Sequence, residues 1–182
     1  MPATRSRVFA LAVLLTACVS APAVTTATPT QSDEAGPIAT PIPTTAAAGN
    51  CYPTDQDQYV YHPNRLQVLA ACLRVTGTVV RSLREADGDD HIQVEPDAAF
   101  GSLLRPANVK QVGCQNGCLV VEPVCENAVT QADAIATCAA DTDPLGSLPA
   151  VGQHVWLEGR YVLDLQHGGW AELHPLYRWG VN

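Results

Sequence analysis

The stretch ACLRVTGTVVRSL, residues 71–83, alternates: Leu73, Val75, Gly77 and Val79 fall on one side of an extended chain, and Arg74, Thr76 and Thr78 on the other. A half-buried strand has this pattern, and Gly77 at its middle predicts a coil that lets one long strand serve two parts of a closed sheet. Directly after it, READGDDHIQVEP (residues 84–96) carries the Asp87-Gly88 turn signal, with Ile92 and Val94 continuing the inward alternation. The two segments are therefore expected to pair as an antiparallel hairpin.

Working outward, residues 97–118 read as a long irregular insertion with a helical turn near 98–104. CLVVEPVC (118–125) is a third strand. VTQADAIATCAAD (129–141) reads as a helix: Thr130 is the N-cap, Asp133 follows three residues on, and Ala132, Ile135 and Ala136 share a face. VGQHVWLEGRYVLD (151–164) and WAELHPLYRW (170–179) are two further strands joined by Gly168-Gly169, with Val155, Leu157, Tyr161 and Leu163 on one side of the former. The order β-β-β-α-β-β predicts an all-β domain with one helix, a five-stranded OB-like barrel over residues 50–182. An immunoglobulin-like sandwich is the competing architecture, but it needs about seven strands and does not explain the helix.

Before this domain the composition is different. MPATRSRVFALAVLLTAC (1–18) has Arg5 and Arg7 ahead of a short apolar run at 8–15, the pattern of an export signal. A membrane-spanning helix needs roughly 20 apolar residues, so a permanent span is not expected. Its ending, Leu15-Thr16-Ala17-Cys18, resembles the bacterial lipobox. That resemblance implies cleavage after residue 17, diacylglycerol and further acylation, such as palmitate, on Cys18, and a domain held on the bacterial cell membrane outside the cytoplasm. Residues 18–49, rich in Ala, Thr and Pro and without apolar periodicity, are expected to form a disordered tether.

Seven cysteines are present; setting Cys18 aside leaves Cys51, Cys72, Cys114, Cys118, Cys125 and Cys138, an even number in an exported chain. Disulfides are the default reading. Six cysteines allow many pairings, and nearest-in-sequence pairs, Cys51 with Cys72, Cys114 with Cys118 and Cys125 with Cys138, are preferred because each closes a local loop. CQNGC alone offers two zinc thiolates without a second pair to complete a tetrahedral set. From residue 50 onward eight Lys and Arg face sixteen Asp and Glu, a balance of −8 that repels phosphate backbones and argues against a nucleic-acid partner.

The blocks YHPNRLQVL (61–69), VTGTVV (75–80), DGDDHIQV (87–94), LVVEPVC (119–125) and GRYVLDLQHGGWAELHP (159–175) resemble a family of small exported bacterial proteins. The resemblance covers most of residues 60–179 and implies an OB-like fold; it brings no catalytic residue. Cys114 and Cys118 depart from the family pattern, which favours a local disulfide over a shared metal site.

Candidate functional residues concentrate in YVLDLQHGGWAELHP (161–175). Trp170, Glu172 and His174 share one face of a strand, and Asp164 and His167 come from the adjoining strand end and turn. In an OB barrel the loop between strands one and two, here with Asp87, Asp89, Asp90 and His91, lies opposite the loop bearing His167. A structural hairpin is the leading reading, with Glu172 and His174 as a surface ladder and Trp170 over the barrel end. Ligand binding at His91, Asp164, His167, Trp170, Glu172 and His174 comes next. A metal-dependent hydrolase using Asp164, His167, Glu172 and His174 is the alternative from another class. Trp156, Tyr161 and Trp170 are candidates for stacking on a glycan or peptide. DGDD lacks the ligand spacing of a calcium loop, no G-x-S-x-G elbow or Gly-rich phosphate loop occurs, and no cofactor or metal is expected. The resulting expectation is a lipid-anchored binding or interaction module, not an enzyme, with a cell-envelope glycan or protein as partner.

Overall fold

The computed structural model describes residues 51, 55–111, 113–141 and 144–182. The expected signal peptide, Cys18 and the tether lie outside the described residues. The fold is mostly β: β1 (Leu66–Arg84), β2 (Asp90–Pro96), β3 (Leu119–Val121), β4 (His154–Asp164) and β5 (Trp170–Val181), with one turn of helix, α1 (Ile135–Cys138), and several 3-10 turns. The five strands form one sheet that closes in a ring in the order β1-β2-β3-β5-β4. All neighbours run antiparallel except β3 and β5, which are parallel.

The closure depends on β1. At 19 residues it is long enough to pair with β4 along most of its length and with β2 over its second half. Gly77 lies where both pairings overlap, opposite Pro96 on β2 and Val155 on β4. A Cβ at this position would stand 2.5 Å from the Glu95 carbonyl oxygen, so only glycine lets the two backbones approach this closely.

Alternation then fills the ring. Leu73, Val75 and Val79 from β1, Ile92 and Val94 from β2, Leu119 and Val121 from β3, Leu157 and Tyr161 from β4, and Leu173 and Leu176 from β5 form one core. Tyr161 belongs to this core, its hydroxyl donating to the Leu103 carbonyl at 2.7 Å, and is not a stacking platform. Trp156 lies apart from the residue 161–175 hairpin mouth, under the Arg74 guanidinium at 4.1 Å.

The helix is shorter than expected. Only Ile135–Cys138 is helical, its N-cap is Ala134, and Thr130 does not cap it. Thr130 instead directs its N–H (2.8 Å) and its hydroxyl (3.3 Å) to the Ala86 carbonyl, and the Gln131 N–H joins them at 2.8 Å. These bonds to the β1–β2 turn take residues 130 and 131 away from the helix, as hydroxyl-bearing side chains do when a competing backbone partner is available.

Three disulfides join Cys51 to Cys72, Cys114 to Cys118 and Cys125 to Cys138, with Cα–Cα separations of 5.5, 5.5 and 5.3 Å. These are the pairs nearest in sequence. The first ties the segment before β1 to β1 itself; the last ties the loop after β3 to α1. Asn108, fully buried, fixes the insertion between β2 and β3 to β5: its Oδ1 accepts from the Ala171 N–H at 2.8 Å and its Nδ2 donates to the Ala171 carbonyl at 3.0 Å.

Gly77→Ala should destabilise the domain by about 1–3 kcal/mol, the usual cost of overpacking. Gly101→Ala, whose added Cβ would meet nothing within 4 Å, should change little by comparison. Chemical unfolding of both variants checks this, and equal midpoints would remove Gly77 from its proposed place in the closure.

Candidate functional site

Residues that alternate with the core point to the outer side of the ring, and along β2, β5 and the end of β3 these include His91, Gln93, Glu122, Glu172 and His174. In an ordinary antiparallel sheet such residues face water. Here they do not: Glu122, Glu172 and His174 are 3%, 0% and 0% exposed. Residues 55–65, with 3-10 turns at Asp55–Tyr59 and Pro63–Arg65, form a cover that meets this side through Asp57 on Tyr177 and Arg65 on Glu122, and residues 123–141 join it through Asp133 and Ala140. The cover is pinned by Tyr59 to the Ala140 carbonyl (3.0 Å), Tyr177 to Asp57 (2.7 Å), and Tyr61 to Asp133 (2.5 Å).

The expected surface ladder of Glu172 and His174 is therefore a buried charge network. Glu122 is positioned by the parallel β3–β5 pairing, its N–H donating to the Leu173 carbonyl and its carbonyl accepting from the Leu176 N–H, both at 2.9 Å. This sets its carboxylate 2.6 Å from His174 Nδ1 and 3.2 Å from His91 Nδ1. Glu172 lies 3.4 Å from the same His174 nitrogen. Arg65, from the cover, pairs with Asp164 and reaches Glu122 at 3.8 Å.

The electrostatics follow from this packing. Burial opposes charge on His174, but the carboxylates of Glu122 and Glu172 overcome it and hold the imidazolium up to about 10. Burial likewise works against the Glu122 carboxylate, yet His174 and His91 together keep it well below the usual carboxylate range. Glu172, buried beside Glu122, is raised, and burial lifts Asp89 to about 7 against the pull of His174.

Beside this network opens a cavity of about 390 Å³. Glu85, Asp87 and His91 line it from the β1–β2 hairpin, His167 and Trp170 from the β4–β5 hairpin, Tyr61, His62 and Arg65 from the cover, and Gln93 and Glu122 from the sheet. Two ring stacks flank it: His167 on Trp170 with centroids 4.6 Å apart, and His62 on Tyr61 at 3.9 Å. His62 adopts a left-handed backbone conformation (φ 48°), rare for a residue other than glycine.

The structure thus brings His91, His167 and Trp170 to one cavity, between the β1–β2 and β4–β5 hairpins. Asp164 is a turn anchor: its Oδ1 accepts from the N–H groups of Gln166 (2.8 Å) and His167 (3.2 Å), and its Oδ2 lies 2.9 Å from His167 Nδ1. Asp164 with His167 and Glu172 with His174 form two separate pairs, with Arg65 and Glu122 between them. The DGDD carboxylates diverge: Asp89 accepts from the Cys125 N–H at 2.8 Å, Asp90 from the Asn127 amide at 2.5 Å, and only Asp87 lines the cavity.

Tyr61, His62, Arg65, Glu85, Gln93 and Glu122 are cavity residues that sequence reading does not single out as site residues. Glu122 alone carried a signal, being a lone carboxylate inside the apolar run LVVEPV. The chain matches no family model, no curated protein and no solved structure.

Two outcomes are expected. Arg65→Met leaves Asp164 and Glu122 without their guanidinium and should cost about 3–5 kcal/mol of unfolding free energy, as removal of one partner from a buried pair does. Stability should also depend on pH. Because His174 is raised from 6.5 to about 10, the stability it contributes is full below pH 6.5 and is lost as pH rises toward 10. Asp89, raised from 3.8 to about 7, acts in the same direction over the window below, whereas Glu122, lowered, loses its contribution as pH falls below 4.5. Urea midpoints should therefore fall between pH 6.5 and 10, and less steeply in His174→Gln; a flat profile in the wild type would contradict the charge assignment.

Proposed function

We propose that the chain is a lipid-anchored binding module displayed outside the cytoplasmic membrane, with an OB-like fold and its ligand pocket in the cavity between the β1–β2 and β4–β5 hairpins. The observation that carries this reading is the cavity itself: about 390 Å³, with two aromatic–imidazole stacks on its walls and a floor of Glu122 and Gln93. Pockets that combine flat rings with a few fixed polar groups suit small polar ligands such as envelope glycans or peptide ends. The OB-like assignment is supported by the ring order, by β1 pairing with both β2 and β4, and by α1 falling between β3 and β4. In favour of export are the three disulfides, which persist in oxidising compartments. The lipid anchor rests on Leu15-Thr16-Ala17-Cys18, and among the described residues no helix is long and apolar enough to cross a membrane.

Binding is preferred to hydrolysis because Asp164, His167, Glu172 and His174 are divided between two pairs, one anchoring a turn and the other buried. A general base and a metal-bound water need donors that converge on one point accessible to substrate.

In a bacterial host, the full chain should incorporate labelled palmitate and sediment with membranes, and Cys18→Ala should do neither; labelling that survives the substitution would refute the anchor. For the pocket, muropeptides and chito-oligosaccharides titrated into the full chain should change its tryptophan fluorescence saturably, and Trp170→Ala should abolish the response. Turnover of ester or phosphate substrates that is lost in His167→Ala would instead establish the hydrolase.

A further inference from the structure

Glu85, His91 and Glu122 reach the same cavity from three places: the end of the β1–β2 hairpin, the start of β2, and the residue after β3. One ligand-type atom from each lies within 4.8 Å of the others. We propose that these three side chains form a binding site for a first-row divalent cation of the zinc type, open to the cavity; the proposal rests on reading that cavity as a ligand pocket.

The geometry has the right scale. His91 Nδ1 lies 3.2 Å from Glu122 Oε1 and 3.6 Å from Glu85 Oε1. Two ligands bonded to a tetrahedral zinc at about 2.1 Å stand about 3.4 Å apart, so the observed spacings straddle that value. Glu122 is fixed by the two backbone bonds to β5, and His91 is backed by Trp170, edge-on at 5.6 Å. Glu85 is the adjustable member, with a side chain 40% exposed. A site with two rigid donors and one mobile donor admits an ion without rebuilding the sheet.

A second observation points to a ligand independently. Gln93 is 6% exposed and lines the same cavity, yet its Oε1 has no hydrogen-bond partner among the described residues. A buried amide oxygen left unpaired is costly, and an unplaced water or ion is a usual explanation. Water completing the coordination of a cation held by Glu85, His91 and Glu122 would supply a donor inside this cavity.

Donor type sets the class of ion. One imidazole and two carboxylates suit zinc and its first-row neighbours. Calcium prefers six to eight oxygen ligands, and a nitrogen donor with two carboxylates serves it poorly. Of the other acids in the β1–β2 turn, Asp89 and Asp90 are turned to Cys125 and Asn127.

The test is calorimetric titration of the untagged full chain with ZnCl₂ at neutral pH, repeated with CaCl₂. One zinc per chain is expected, with calcium failing to compete. Because even outer-shell changes cost about 10–100-fold in metal affinity, Glu85→Gln should weaken zinc by more than about tenfold. Glu85 is partly exposed, so the melting temperature of the metal-free variant should stay close to wild type. His91→Gln should abolish binding; if that variant does not fold, Glu85→Gln decides alone. Absence of stoichiometric zinc binding, or binding that Glu85→Gln leaves unchanged, overturns the proposal. A glycan or peptide response that depends on Trp170 while zinc fails would leave the binding module standing and remove only the cation. Zinc binding without any organic ligand would retain the cation and remove the glycan or peptide reading.

Discussion

The contact between Glu122 and His174, 2.6 Å apart and only 3% and 0% exposed, is the constraint to which the outer side of this fold is built. A carboxylate so deeply buried needs a cation, and an imidazolium so deeply buried needs an anion. Each answers the other, and neither is tolerable alone. Arg65 plays the same part for Asp164 while reaching toward Glu122, so the cover segment delivers a charge that the sheet requires. This is why residues 55–65 and 123–141 belong to the folded structure and are not loose connections.

Such pairs contribute little net stability compared with apolar residues of the same shape. What they impose is register. Because side chains alternate with a period of two, slipping β3 by one residue against β5 would turn Glu122 into the ring and move Val121 out. β3 is only three residues long, and its pairing with β5 spans Val120 with Glu172 and Val121 with Leu173. So short a parallel contact specifies register weakly by itself. The backbone bonds of Glu122 to Leu173 and Leu176, together with the charge on His174, remove the ambiguity.

The sequence made the ring legible because alternation in β1, β2, β4 and β5 is a local property that any stretch of chain displays by itself. Leu73, Val75, Val79, Ile92 and Val94 could be assigned inward without knowing their partners. Gly77 and the Asp87-Gly88 turn were readable for the same reason. Alternation also put Trp170, Glu172 and His174 on one face, but it cannot report whether that face meets solvent or another layer. The layer is the segment before β1, more than a hundred residues away along the chain, and nothing near Glu172 encodes its arrival. Thr130 illustrates the same limit in a helix: its capping signal is local and real, but the Ala86 carbonyl competes from the β1–β2 turn. At the candidate site, His91, His167 and Trp170 were legible from loop placement, whereas Arg65, Glu85 and Glu122 depend on which segments cross.

Ring and cavity consequently have different supports. The core of Leu73, Ile92, Leu157 and Leu173 sits inside the closed sheet and owes nothing directly to the cover. The cavity does, because Tyr61, His62 and Arg65 form one of its walls and belong to the segment that Cys51–Cys72 ties to β1. The loop carrying Asp133, which holds Tyr61, is tied in turn by Cys125–Cys138. By shortening the loops available to the unfolded chain, these two bridges favour the docked cover over the open one. The two bridges therefore favour the state in which the buried charges are covered and the wall of the cavity is complete. The disulfides, the charge network and the cavity form one device, laid over a ring whose closure Gly77 makes possible.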